Sequence, residues 1–162
     1  SVERCFAKHL PDNRYHIVYP GDAPVGLQQL GAQAGWHHAA PFMVGIDADW
    51  GSWYAYRAVV LADTDFCPSR AVDRNSPCTS CDTRPCIAAC PAQAMADGSF
   101  SLARCAAYRL QPDSVCAFTC QARLACPVGS AHRYDADQLR HTYSISLQTI
   151  RQHFGARLPD ET

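Results

Sequence analysis

The 162-residue chain carries 48% apolar and 18% charged residues, with 14 Lys plus Arg against 15 Asp plus Glu. That balance suits one domain, or one domain with a smaller lobe, and excludes a disordered chain or a polyanion-seeking surface. Ten cysteines are the outstanding feature.

The N-terminal stretch SVERCFAKHL has no apolar run of signal-peptide layout, and no window approaches the length of a membrane span. Tyr15-His-Ile-Val-Tyr19 reads as a short strand ending at Pro20-Gly21. Ala23 to Ala34 reads as a helix, with Asp22 as its cap and Gly35 as its stop. The segments 41–46 (PFMVGI) and 53–61 (WYAYRAVVL) are rich in β-branched and aromatic residues. A turn-like DADWGS lies between them, so a hairpin or two neighbouring strands is expected.

From Cys67 to Pro77 the chain becomes polar, which marks a boundary between a small α/β lobe over 1–67 and a cysteine-rich lobe over 68–162. Near the end, Leu139, Tyr143, Leu147, Ile150 and Phe154 recur at three and four residues. This pattern predicts a helix over 136–154, capped by Asp135 and closed by Gly155. The expected fold class is α+β: a small sheet-containing lobe beside a cysteine-rich lobe with a C-terminal helix.

Within the second lobe, Cys78, Cys81, Cys86 and Cys90 fall within thirteen residues, and Pro91 follows the last of them. The bacterial iron–sulfur run is C-x2-C-x2-C-x3-C-P, in which the fourth cysteine ligates the other of two clusters. The present run differs by two extra residues in its middle gap. Such crossing requires a second group with its own Cys-Pro, and Cys116, Cys120 and Cys126-Pro127 supply one. The reading is therefore two [4Fe–4S] clusters, one on Cys78, Cys81, Cys86 and Cys126, the other on Cys90, Cys105, Cys116 and Cys120. Cys67 competes with Cys105 for the eighth place, and two zinc ions on the same thiolates are the alternative metal content. Cys5 and Cys67 are otherwise read as inert thiols. His37-His38 is a candidate ligand pair, although adjacent side chains diverge. Trp36, Trp50 and Trp53 with Tyr54 and Tyr56 read as sheet and core aromatics.

On these residues the chain resembles the C-terminal ferredoxin-like region of epoxyqueuosine reductase and of corrinoid reductive dehalogenases. The likeness is carried by CTSCDTRPCIAACPAQAM, by Arg104-Cys105-Ala-Ala-Tyr108, and by Ala34-Gly35-Trp36 followed by Gly51-Ser-Trp53-Tyr54. It is also similar to a group of short bacterial ferredoxin-like proteins, through residues 77–91, 116–129 and Arg133-Tyr134. The resemblance implies cytoplasmic electron transfer through two [4Fe–4S] clusters. Its implied partner is a redox protein or an upstream cofactor domain, with neither nucleic acid nor membrane involved. The alternative it implies is a cobalamin-dependent reductase or a fragment of one, with residues 1–67 a remnant of the corrinoid-binding part. Asp22, in Gly21-Asp22-Ala23-Pro24, would then be the catalytic candidate. It sits one position later than in that family, and His37-His38-Ala39 replaces the family's Gly-Lys after Trp.

Overall fold

The structure, a computed structural model, describes residues 1–71 and 74–154. Its elements mix helices with one small sheet: α1 (Val2–His9), β1 (Tyr15–Tyr19), α2 (Leu27–Gln33), β2 (Val59–Ala62), α3 (Pro85–Ala88), α4 (Leu102–Leu110), α5 (Gln121–Ala125) and α6 (Ala136–Phe154), with a 3-10 turn at Ser130–His132. The class is α+β.

The chain forms two units. The first comprises residues 1–37 with 54–71, and the second 38–53 with 74–154. The chain thus leaves the first unit after His37 and returns to it at Tyr54.

In the first unit β1 pairs antiparallel with β2, Tyr15 opposite Ala62 and Ile17 opposite Val60, with an irregularity between Ile17 and Tyr19. Asp63 fastens the end of this ladder. Its Oδ1 accepts the Arg14 amide at 2.7 Å and its Oδ2 the Arg14 Nε at 3.0 Å. Chiefly because of that Arg14 hydrogen bond, the Asp63 carboxyl titrates below its ordinary value. Phe6 of α1, a helix not anticipated from the sequence, stacks on Tyr15 with ring centres 4.1 Å apart.

The helix expected from Ala23 starts four residues later. Ala23 precedes a proline, which disfavours helical backbone there, and Gly26 rather than Asp22 is the N-cap. Gly35 does end it, at φ +76°.

The expected hairpin of 41–46 and 53–61 does not form. Only the isolated bridges His38–Ile46 and Asp47–Gly51 occur in that stretch, and the strand of the second segment is confined to Val59–Ala62, paired with β1. The boundary at 67 shifts for the same reason. Phe42 and Ile46 are buried with Cys86, Met95, Ala122 and Cys126 in the core of the second unit. These apolar side chains, strand-like in isolation, are recruited to wall the cysteine loops.

Within the second unit α3 packs against α5, and α4 against α6. Helix α6 spans the predicted range, and the Gln138 amide donates to Asp135 Oδ1 at 2.8 Å, as a cap requires. Leu147 and Ile150 are buried and Ile145 is exposed. The closing role expected of Gly155 lies outside the described residues.

Candidate functional site: two thiol sets and their buried arginines

All ten cysteines are free. Short helices present most of the central eight. Cys86 lies in α3 and Cys90 just beyond it, Cys105 is in α4, and Cys120 and Cys126 cap the two ends of α5. A three-turn amphipathic stripe is unnecessary for such elements, since each needs only to turn one thiol inward.

Cys78, Cys81, Cys86 and Cys126 all line one cavity of about 260 Å³. Phe42, Ile46 and Val128 supply apolar wall. Burial pushes the Cys78 and Cys86 thiols up from their usual range, and the Cys126 charge nearby adds to it for both. The Ile87 amide donates to Cys86, the Ser76 side chain to Cys78, and exposed Arg84 acts on Cys78 from the rim.

Cys90, Cys105, Cys116 and Cys120 form the second set. Burial again comes first, pushing Cys105 to about 11, followed by the charges of Cys120, Cys90 and Cys116. Cys116 and Cys120 are raised by burial and by charges drawn from the same four residues. Backbone amides oppose this. Gln121 donates to Cys116, and Arg123 and Ala122 donate to Cys120. For the groups with resolved shifts, the interacting cysteines divide into the two sets given by the spacing, with Cys126 among the first three and Cys90 among the last. Cys5 and Cys67 are exposed members of the other unit. Among the described residues no three His, Cys, Asp or Glu stand close enough to grip a single metal ion.

Two arginines that sequence reasoning left without a role organise this unit. Arg109, 7% exposed, donates from Nε to the Cys116 carbonyl at 3.1 Å and from its terminal nitrogens to Ser146 Oγ (2.9 Å), Tyr143 O (3.1 Å) and Ala117 O (3.3 Å). Arg123, 5% exposed, donates to Ser52 Oγ at 3.1 Å and to the Ser52 carbonyl. Its guanidinium lies 4.2 Å from the Trp53 ring centre and 5.0 Å from that of Tyr134. Among the described residues neither pairs with a carboxylate. The sequence did contain a signal, because Arg123 falls inside the stretch 116–129 and Ser52 and Trp53 inside Gly51-Ser-Trp53-Tyr54, both of which carried a resemblance. What it lacked was the knowledge that these two tracts meet.

They meet through glycine. Gly51 has φ +60° and Gly129 φ +64°, and a Cβ on Gly51 would overlap the Val128 carbonyl, as one on Gly129 would overlap the Trp50 carbonyl group. The loop carrying the second Cys-Pro is therefore seated backbone to backbone on the loop 47–53. Arg133 reaches back to the Cys126 carbonyl at 3.3 Å.

The remaining candidates are dispersed. Asp22 is exposed in the turn after β1. His37 Nδ1 lies 3.2 Å from Tyr54 Oη in the first unit, while His38 pairs through its backbone with Ile46 in the second. Trp53 is 3% exposed, as a core aromatic should be, whereas Trp36 and Trp50 are each 52% exposed. No helix is long and apolar enough to cross a membrane among the described residues. No protein-family model, curated protein or solved structure matches this chain.

Proposed function

We propose that this chain is an electron carrier holding two [4Fe–4S] clusters, one on Cys78, Cys81, Cys86 and Cys126 and the other on Cys90, Cys105, Cys116 and Cys120. The observation that carries the reading is the first cavity. Three cysteines of one short run and a fourth from 40 residues beyond Cys86 converge on one space walled by apolar side chains. Thiolate donors and an apolar shell are what iron–sulfur groups require. Such a group supplies one-electron exchange; the chain supplies everything else. Phe42, Ile46 and Val128 give the first set part of an apolar wall. Amides of Ile87, Gln121, Ala122 and Arg123 point at thiol sulfurs, an arrangement that stabilises thiolate. The raised thiols favour their protonated form while no cation is near, so loading releases protons.

A reducing, cytoplasmic setting suits so many unpaired thiols, and a redox protein is the natural partner. The decisive test is iron, sulfide and zinc content of anaerobically purified protein, read with its visible spectrum. About eight irons and eight sulfides per chain with broad brown absorption is the expected result. About two zincs in a colourless sample would overturn it. Cys126→Ser should lose about half the iron, and Cys67→Ser none.

A further inference from the structure

If the two thiol sets hold clusters as proposed, their surroundings differ in a way that ranks them. Around Cys90, Cys105, Cys116 and Cys120 stand two buried guanidinium groups that pair with no carboxylate among the described residues. Arg109 donates from Nε to the Cys116 carbonyl at 3.1 Å, and Arg123 lies in α5, whose N-cap is Cys120. Three amides donate to Cys116 and Cys120. Thr119 lies in the same loop, between Cys116 and Cys120, and its buried Oγ1 finds no protein partner. A hydroxyl donor is expensive to leave unmet inside a protein; no cysteine sulfur accepts from Thr119 Oγ1, so a sulfide of a bound cluster is the acceptor the proposal gives it. The first set is served differently. The Ile87 amide donates to Cys86 and the Ser76 hydroxyl to Cys78, while Arg84 and Arg133, which holds the Cys126 carbonyl, are exposed to water.

Each electron added to a tetrathiolate cluster increases its negative charge. Buried positive charge stabilises that increment far more than charge screened by solvent does, because the effective dielectric constant is lower inside. Hydrogen bonds to the sulfurs act in the same direction. Arg109 and Arg123 would otherwise be unbalanced charges in the interior, a costly arrangement in a protein without an anion beside them.

We infer that Arg109, Arg123 and Thr119 make the site of Cys90, Cys105, Cys116 and Cys120 the higher-potential one, so that it receives the first electron from a one-electron donor and the site of Cys78, Cys81, Cys86 and Cys126 the second. Each addition reduces one ferric centre of a cluster by one electron, with no proton or leaving group exchanged. The carrier is thereby polarised, with its apolar cavity site as the stronger reductant.

The test is a dithionite redox titration of the loaded protein followed by electron paramagnetic resonance, which should resolve two one-electron waves. Arg109→Met should lower the reduction equilibrium of the upper wave at least tenfold, 59 mV for a one-electron couple, and leave the lower wave in place. Because Arg109 also holds carbonyls, Thr119→Val provides a variant of nearly unchanged shape, expected to lower the same wave about fivefold. Arg84→Gln should move only the lower wave. Two superimposed waves, or a lower wave that responds to Thr119→Val or Arg109→Met, would overturn the ranking while leaving the two-cluster reading intact. Protein free of iron and sulfide would overturn both.

Discussion

The contact between Gly51 and Gly129 yields a quantitative expectation. Gly129→Ala places a methyl on a residue with φ +64° and drives it into the Trp50 carbonyl group. Left-handed backbone costs a non-glycine residue about 1–2 kcal/mol, and forcing an atom into a packed site typically adds about 1–3 kcal/mol. Backbone, unlike a flexible side chain, cannot rotate aside, so a total of about 2–5 kcal/mol is expected. Gly98 separates the two contributions. It has φ +79° with nothing within 4 Å of its would-be Cβ, so Gly98→Ala should show the backbone cost alone, about 1–2 kcal/mol. Gly51→Ala should resemble Gly129→Ala, and the double variant should cost about 1–3 kcal/mol less than the sum, because one separation of the loops relieves both clashes. Urea denaturation followed by far-ultraviolet circular dichroism measures all four. Equal effects at Gly98 and Gly129, or strict additivity of Gly51→Ala and Gly129→Ala, would refute the close backbone contact.

Other expectations follow from individual contacts. Ile46 is fully buried against the cysteine-bearing core, so Ile46→Ala should destabilise by about 2–5 kcal/mol in the same denaturation assay. Ser52→Ala removes the side-chain acceptor for Arg123 but spares the carbonyl, and should cost about 1–3 kcal/mol. A midpoint unchanged from the parent would show that Arg123 does not depend on this hydroxyl. The Asp63 carboxyl is lowered below 3.8 by its Arg14 hydrogen bond. Its contribution to the strand pair is therefore present above that pH and fades as acid protonates the folded form. Hydrogen exchange of the Arg14 amide should accelerate on acidification below pH 3.8 more than intrinsic chemistry requires, and Asp63→Asn should abolish that excess.

The parts legible in the sequence are those whose forces are local. Helix α6 repeats its apolar residues over nineteen positions and carries its own cap at Asp135, so neither its existence nor its start depends on the rest of the chain. Strand β1 ends where Pro20 and Gly21 interrupt it. That Cys78, Cys81 and Cys86 share one cavity follows from their closeness in the chain, whereas Cys126 joins them from 40 residues beyond Cys86. By contrast, α3 and α5 have four and five residues, too short for periodicity to register. Residues 41–46 have strand-like composition, yet the cysteine core claimed Phe42 and Ile46 first. Asp22 has the residue type for a cap, but Pro24 displaces the helix start beyond its reach. Arg109 and Arg123 look like ordinary surface cations in one dimension. Only the packed arrangement reveals that their charges are buried.

The excursion of residues 38–53 into the second unit has a consequence for modularity. A module that occupies one uninterrupted stretch can be cut from a gene and pasted elsewhere. The cysteine unit here does not meet that condition. A fragment beginning at Arg74 would retain all eight cysteines of both sets but lack Phe42, Ile46, Ser52 and Trp53, leaving Arg123 without its acceptors and the cavity without part of its wall. Recombination that moved the cysteine motifs alone would carry the thiols and leave behind their shelter, so the two units are bound to be inherited together.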